Sequence, residues 1–404
     1  MSTLLTHCRI CKSENLVDIL DLGNQGLASR FPNKQENDPP KVPLILSKCE
    51  NPMCCLIQLK HTVTNNELYE HAYGYRSGIN ATMTAHLQNL VKSIESRVLL
   101  NRGDIVIDIG SNDATLLKSY QSEFIEKVGI DPTGSQFLEY YPNDITLIPT
   151  YFTSGVFKSK AKVITSISMF YDLPDPVQFM KDVKEILRDD GMWVMEQSYM
   201  PEMLNTNSLD TVCHEHLEYY AFKQIMLMAE MANLNVVDVE FNDCNGGSFR
   251  VFLSHPGAHV QNINVISTVI ANEFLLGLDT LKPYQEFQVR CEKVRSDLLT
   301  FLDTHQSVYI YGASTKGNTL LQYCNIDNTK VIAAAERNPR KFGCRTPITN
   351  IPIISEEQMR ASNPECLLVL PWHFKKEFIQ REHEFLKNGG IIVFPLPNLE
   401  IVTN

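Results

Sequence analysis

Apolar residues along the chain fall into short runs separated by polar turns. Residues 104–117 read DIVIDIGSNDATLL. The run Ile105–Ile109 has the length and continuity of a strand buried on both faces. GSND then makes a turn, and ATLLKSYQ starts a helix. KVGIDPT follows as a second strand ending at Asp131, and KVITSI as a third. The segment SMFYDLPDPVQFMKDVKEILRDDGMWVMEQ reads as loop, amphipathic helix, Asp-Gly turn and strand. NVVDVEF and SFRVFL flank NDCNGG as the arms of a hairpin. Further on, residues 265–305 are helical in pattern. SVYIYGASTKGNTLLQY then repeats the strand–turn–helix plan, with its helix beginning near Asn318. KVIAAAERNPRKFG supplies another strand, and PWHFKKEF borders a further strand end.

The central pattern is an alternating α/β run that finishes in an antiparallel hairpin. That is the plan of class I S-adenosylmethionine-dependent methyltransferases, whereas a plain dinucleotide fold continues in parallel. The order strand, glycine turn, strand, acid is a nucleoside-binding layout. It is not G-x-G-x-x-G, since Asn112 and Ala114 stand where that fold prefers glycine. In this layout Asp108, Gly110 and Asn112 lie beside the methionine part of the cofactor. Asp131 holds the ribose, and Ser168–Tyr171 borders the active site. Taken singly, Asp108 is also a plain turn cap and Asp131 a plain turn initiator. In the third segment, Gly312 and Ser314 keep a turn small ahead of a helix N-terminus, which suits a pyrophosphate. Lys316 adds a charge, and Glu336 and Asn338 close the next strand. A degenerate fold used as scaffold is the alternative there.

Cysteines change the picture at the N-terminus. CRIC at residues 8–11 and CENPMCC at 49–55 are two close pairs, the pattern of a structural zinc site. Cys8, Cys11 and Cys49 are ligands, and Cys54 is preferred over Cys55 because CLIQL then opens the next strand. His7 and His61 are alternative ligands. Eleven cysteines without an export signal point to thiols and metal rather than disulfides, hence to a cytoplasmic enzyme. A net charge of −11 with scattered Lys and Arg argues against an extended nucleic-acid surface. No apolar run reaches the roughly 18 residues of a membrane span.

The densest chemistry is DTVCHEHLEYY, residues 210–220. It falls after a strand and before a helix at residues 219–232, at the sheet edge where an open α/β fold binds ligands. If residues 213–218 are extended, His214 and His216 share one face, and Cys213 and Glu215 the other. A second metal site of Cys213, His214 and His216 and a purely structural loop are both weighed. An acid/base role explains more: histidine suits a base near neutral pH, and a carboxylate can orient it.

These residues, with YGYRSGINATMTAHL, IDIGSNDATLL, NGGSFRVFL, AERNPRKFGCRTPITNIPI and LLVLPWHFKKEF, resemble the S-adenosylmethionine-dependent sugar C-methyltransferases of deoxysugar pathways. The resemblance covers nearly the whole chain. It implies an α/β protein with a zinc-binding N-terminal domain (1–70), a class I methyltransferase domain (71–255) and a Rossmann-like C-terminal domain (256–404). It implies zinc, S-adenosylmethionine and a nucleotide-diphosphate 4-keto sugar methylated at C-3, with no nucleic-acid or membrane partner. His216 takes the place of the catalytic base with Glu215 beside it, and Tyr75 that of a tyrosine over the active site. Tyr73 is a looser match. Cys213 stands where some relatives have tyrosine, and Tyr171 where some have histidine. Asn245 and Arg250, in NGGSFRVFL, join the substrate side. An O- or N-methyltransferase and a non-catalytic nucleotide-sugar binder are the competing functions. Oligomeric state is left open, with a monomer favoured.

Overall fold

The computed structural model of the chain describes residues 2–64, 68 and 75–404; Tyr73 lies outside them. The N-terminal strands are β1 (Thr3–Leu4), β2 (Leu16–Gly26), β3 (Lys41–Cys49), β4 (Ile57–Leu59) and β5 (His61–Thr62). β2, β3 and β4 form an antiparallel meander, and β1 pairs with β5. The strand expected from Cys55 begins instead at Ile57. Cys55 has φ 54°, left-handed backbone that cannot continue a strand.

Helix α1 (Ala81–Arg97) starts at Asn80, whose side chain accepts from Thr82 N. It precedes β6 (Ile105–Ile109), β7 (Glu126–Ile130), β8 (Ile145–Ile148) and β9 (Ala161–Ile167). Then come α2 (Pro176–Ile186), β10 (Leu187–Ser198), α3 (Met200–Asn205), β11 (Glu218–Tyr219), α4 (Phe222–Met231), β12 (Asn235–Asn242) and β13 (Ser248–Ser254). Seven of these strands make one sheet in the order β12-β13-β10-β9-β6-β7-β8. β6 to β10 run parallel, and β13 lies antiparallel to both β10 and β12. The parallel run therefore does end in a hairpin. Ile107, Val128 and Ile164 face one core, while Val106, Val163 and Val194 face the other, as the period of two requires.

ATLLKSYQ does not start an α-helix. It makes only a 3-10 turn at Leu117–Ser119. Asn112 and Ala114 have φ 48° and 60°, and the Asp113 carboxylate draws Thr115 N and Oγ1 into a local turn. The helical region at 265–305 is likewise two helices, α5 (Ile263–Leu275) and α6 (Lys282–Leu302). Gly277 at φ 65° and a proline opening α6 separate them.

The C-terminal sheet contains β14 (Val308–Tyr311), β15 (Ala334–Glu336), β16 (Ile353–Ser355), β17 (Cys366–Val369), β18 (Ile391–Phe394) and β19 (Glu400–Val402). Its order is β16-β15-β14-β17-β18-β19, parallel except for β19. Between β14 and β15 runs α7 (Thr315–Cys324). It begins earlier than Asn318 because Ser314 Oγ accepts from Gly317 N at 3.0 Å and caps it. Among the described residues no helix is long and apolar enough to cross a membrane.

One pairing decides how the site is built. β11 does not join the central sheet but pairs antiparallel with β4, as the outer strand of the N-terminal sheet. With Trp372 of the C-terminal part bonded to Asp210, residues 209–220 sit where the N-terminal, central and C-terminal sheets come together.

Candidate active site

The switch point of the central sheet lies between β6 and β9, where strand connections part to either side. Asp108 and Gly110 end β6 there. Asp108 is buried and accepts from Thr165 Oγ1 at 2.6 Å; burial pushes its carboxyl up to about 7. Gly110 has φ 78°, and a Cβ on it would meet Met169 at 3.1 Å. Asp131, at the end of β7, accepts from Asn112 N at 2.8 Å and from Thr133 N and Oγ1 at 2.7 Å each. A carboxylate offers about four lone-pair sites, so one remains for a ribose hydroxyl. A cradle kept open at Gly110 beside this acid fits S-adenosylmethionine. Asn112 has another duty as well: its side chain donates to Tyr75 O at 3.1 Å and accepts from Ser77 N at 3.0 Å. Asp113 accepts from Gly78 N at 3.0 Å. The Tyr75–Gly78 segment is thus strapped across the cofactor loop, with the Tyr75 ring half exposed. Ser168, at φ 54°, donates its N–H to Glu196 O at 2.7 Å and turns the chain toward Tyr171.

His216 is oriented by its own loop. Its Nδ1–H donates to Thr211 O at 2.8 Å, which leaves Nε2 with the lone pair. The Tyr171 ring lies 4.2 Å from it, centroid to centroid. Burial, then the charge of Lys316, lowers its pKa to about 4, well below an ordinary histidine. Its ring is therefore held neutral near pH 7. Thr211, His216, Tyr171, Glu218 and Tyr219 line a cavity of about 10 Å³, roughly room for one water. Both Glu215 oxygens are buried without a hydrogen-bond partner. Cys213 is buried, and burial raises its thiol well above the usual range.

The two histidines do not share a face. Residues 214–215 turn, and the chain is extended only from Glu218. His214 Nε2 meets Val42 O at 3.2 Å in the N-terminal sheet, away from His216. Among the described residues, Cys213, His214 and His216 form no metal-holding group.

The C-terminal domain reaches the β12–β13 turn and the loop that carries His216. Lys316 Nζ donates to Asn245 O at 2.9 Å, and Trp372 Nε1 donates to Asp210 Oδ2 at 3.0 Å. Gly312 is at φ 93°, where a Cβ would strike Pro371 at 2.6 Å. Glu336 accepts from Ala313 N at 3.1 Å and Asn338 N at 3.0 Å. Gly312, Ser314, Lys316, Glu336 and Asn338 thus gather at the carboxyl ends of β14 and β15, next to the switch point of that sheet between β14 and β17. Arg250 is committed elsewhere: it is buried and holds Glu196 at 2.8 Å and Glu240 at 3.0 Å.

Glu196, His86 and Cys244 form a cluster the sequence reading passed over, with ligand atoms within 4.8 Å of one another. His86 Nε2 pairs closely with Glu196. Burial would lower the His86 pKa, but Cys244 and Glu196 raise it to about 10. Arg250 on the same carboxylate opposes a cation, so this is an ion-pair network. It pins α1 to the hairpin. In sequence, TMTAHL shows only a lone histidine within an otherwise ordinary amphipathic helix, which names no partner.

At the N-terminus, Cys8 and Cys54 sulfurs are 3.6 Å apart and Cys11 and Cys49 sulfurs 3.5 Å. All four lie within 4.8 Å of one another. Tetrahedral zinc with bonds of about 2.3 Å places thiolates about 3.8 Å apart, so the set fits. Cys55 turns away, its Sγ against Asn51 O and Pro52 O at 3.5 and 3.6 Å.

Comparison with known proteins meets this architecture part by part. Residues 8–69 match a family model described as a "Putative zinc binding domain", residues 83–239 a methyltransferase domain, and residues 243–397 a C-methyltransferase C-terminal domain. The chain belongs to the S-adenosylmethionine-dependent C-methyltransferases. C-methyltransferase NovU of Streptomyces niveus is 29% identical over 413 residues, spanning 99% of this chain and 97% of NovU. Among solved structures, the CcbJ methyltransferase of Streptomyces caelestis overlaps 47% of this C-methyltransferase and 95% of its own chain, at 11% identity and TM-score 0.33. YcgJ of Bacillus subtilis overlaps 43% and 100%, at 12% identity and TM-score 0.33.

Proposed function

We propose that this C-methyltransferase acts on a nucleotide-diphosphate 4-keto deoxysugar and places the methyl group on C-3. The observation that carries the reading is His216: its Nδ1–H is fixed by Thr211 O, so a neutral Nε2 is available as base. S-adenosylmethionine, when bound, supplies an electrophilic methyl group whose bond to sulfur breaks as the new carbon–carbon bond forms.

The residues of the chain prepare the carbon. His216 Nε2 takes the proton alpha to the ketone, directly or through one water. Carbon methylation needs this step, because a C–H carbon has no lone pair with which to attack. Charge then moves to the ketone oxygen. Lys316 and Tyr171 are the donors and charges beside His216 that suit an enolate. Lys316, with the turn from Gly312 to Ser314 at the start of α7, would take the pyrophosphate. Glu336 and Asn338, next to that turn, would face the nucleotide.

The test is to incubate the enzyme with labelled S-adenosylmethionine and a panel of nucleotide 4-keto sugars, and to locate the methyl by NMR. A new methyl on C-3 is expected. A methyl on oxygen or nitrogen overturns the reading.

A further inference from the structure

We infer that the zinc-binding domain has a direct part in catalysis, through Arg9 acting as a positioning residue for His216. The inference rests on His216 being the base. Arg9 follows the ligand Cys8 in sequence and is 3% exposed. Its NH1 donates to Leu59 O at 2.9 Å and to Leu217 O at 3.4 Å. Its NH2 donates to Thr62 Oγ1 at 2.7 Å, and its Nε lies 3.4 Å from Glu218 Oε1. One guanidinium therefore spans β4 of the zinc domain and both residues that follow His216.

The strands on either side repeat the same connection. Leu59 N donates to Leu217 O at 2.9 Å, and β11 pairs with β4 through Glu218–Gln58 and Tyr219–Ile57. Gln58 in turn accepts from Arg9 N at 2.9 Å. Leu217 N donates to Tyr171 O at 2.7 Å, which ties the clamped strand to the ring that packs on His216. Glu218 lines the cavity that His216 lines, and its carboxylate has no hydrogen-bond partner there; Arg9 is its nearest countercharge.

The geometry is that of a lever with its fulcrum at the metal. Four cysteines fix the turn that carries Arg9. The planar fork of Arg9 holds the Leu217 carbonyl and the Glu218 carboxylate at once, which a lysine cannot do with one point charge. If that fork is lost, β11 keeps its ladder bonds to β4 but loses the side-chain lock that sets where Leu217 sits. His216 is the next residue, and a misplacement of about 1 Å at a catalytic group costs on the order of 10²-fold in rate.

The experiment compares Arg9→Met and Arg9→Lys with the wild-type enzyme. Zinc content is measured by elemental analysis, and S-adenosylhomocysteine affinity by titration calorimetry. The His216 side-chain resonances are followed in protein labelled with ¹⁵N-histidine and assigned by their loss in His216→Gln. The expected result in Arg9→Met is unchanged zinc, cofactor affinity within about twofold, a displaced His216 Nδ1–H signal, and a fall in kcat of roughly 10–100-fold with KM little changed. Arg9→Lys should restore part of the rate. Should Arg9→Met fail to fold, Glu218→Gln, which keeps shape and breaks the carboxyl pairing with Arg9, carries the same readouts. An unmoved His216 signal with wild-type kcat in a folded, zinc-loaded variant overturns the inference. The resonance does not depend on the sugar. A displaced signal in an enzyme that proves to methylate oxygen would therefore sink the proposed reaction and leave the Arg9 lever standing.

Discussion

Replacing Lys316 with methionine should move the pH profile of His216 in a predictable direction. His216 titrates near 4, against 6.5 for a free histidine, because burial and then the Lys316 charge oppose protonation. That difference amounts to about 3 kcal/mol in favour of the neutral ring. The Lys316 ammonium is held in place by its bond to Asn245 O at 2.9 Å. Lys316→Met removes the charge but leaves the burial. The pKa must therefore rise from about 4 without regaining 6.5. The free enzyme's base governs the acid limb of kcat/KM, so that limb should shift upward by the same amount. At pH 7 both enzymes hold a neutral base, whereas near pH 5 the variant should lose a larger share of its pH 7 rate than the wild type. If Lys316 also binds pyrophosphate, KM rises, but that changes the height of the profile and not its midpoint. NMR titration of the His216 ring, assigned against His216→Gln, measures the same midpoint without substrate. A midpoint that stays put or falls in Lys316→Met would refute the argument.

Other outcomes follow from the same contacts. Cys8→Ser should lose zinc and lower stability and yield, while Cys55→Ser should retain zinc; elemental analysis of both variants checks it. Asp131→Ala removes a charged acceptor for the ribose, and losing a bond of about 1.5–3 kcal/mol weakens S-adenosylmethionine binding roughly tenfold or more, read by calorimetry. His216→Ala should cut turnover by roughly 10²–10⁴-fold and abolish exchange of the proton alpha to the ketone with deuterated water, while leaving cofactor affinity nearly unchanged. His86 has its pKa raised to about 10, so its stabilising charge is fully present below pH 6.5 and is lost as pH rises through 10. Thermal melts should show this alkaline loss in the wild type and a smaller one in Glu196→Gln.

Periodicity made the sheets legible, because a strand buried on both faces leaves a near-continuous apolar run, as in VYIY, or in IVIDI where Asp108 alone interrupts it. It failed at ATLLKSYQ, where the apolar spacing suits a helix but Asp113 competes for the backbone donors and Asn112 and Ala114 adopt left-handed backbone. Local pattern carries no information about such a competition. The four zinc ligands were legible because thiolate chemistry has a short list of spacings, and the left-handed backbone at Cys55 turns the extra sulfur aside. The ion pair of His86 with Glu196 was not legible, since its partners are 110 residues apart.

The placement of His216 shows where sequence reasoning stops. The stretch DTVCHEHLEYY marks the chemistry by composition alone, and its position after β10 puts it at the ligand edge of the central sheet. Its geometry comes from elsewhere. Glu218 and Tyr219 pair with Gln58 and Ile57, and Trp372 fixes Asp210 from the opposite side. Each is a contact between segments remote in sequence. The loop is thus held by neighbours in the zinc and C-terminal domains as well as by Tyr171 of the methyltransferase domain. A methyltransferase domain cut out alone keeps Asp108, Gly110 and Asp131 on its own strand ends, and with them the proposed cofactor cradle. It loses β4, Arg9, Lys316 and Trp372 together, and with them the setting of the base. On the proposed function, cofactor binding and carbon methylation would therefore belong to different parts of this chain: the first to one sheet, the second to the junction of the three domains.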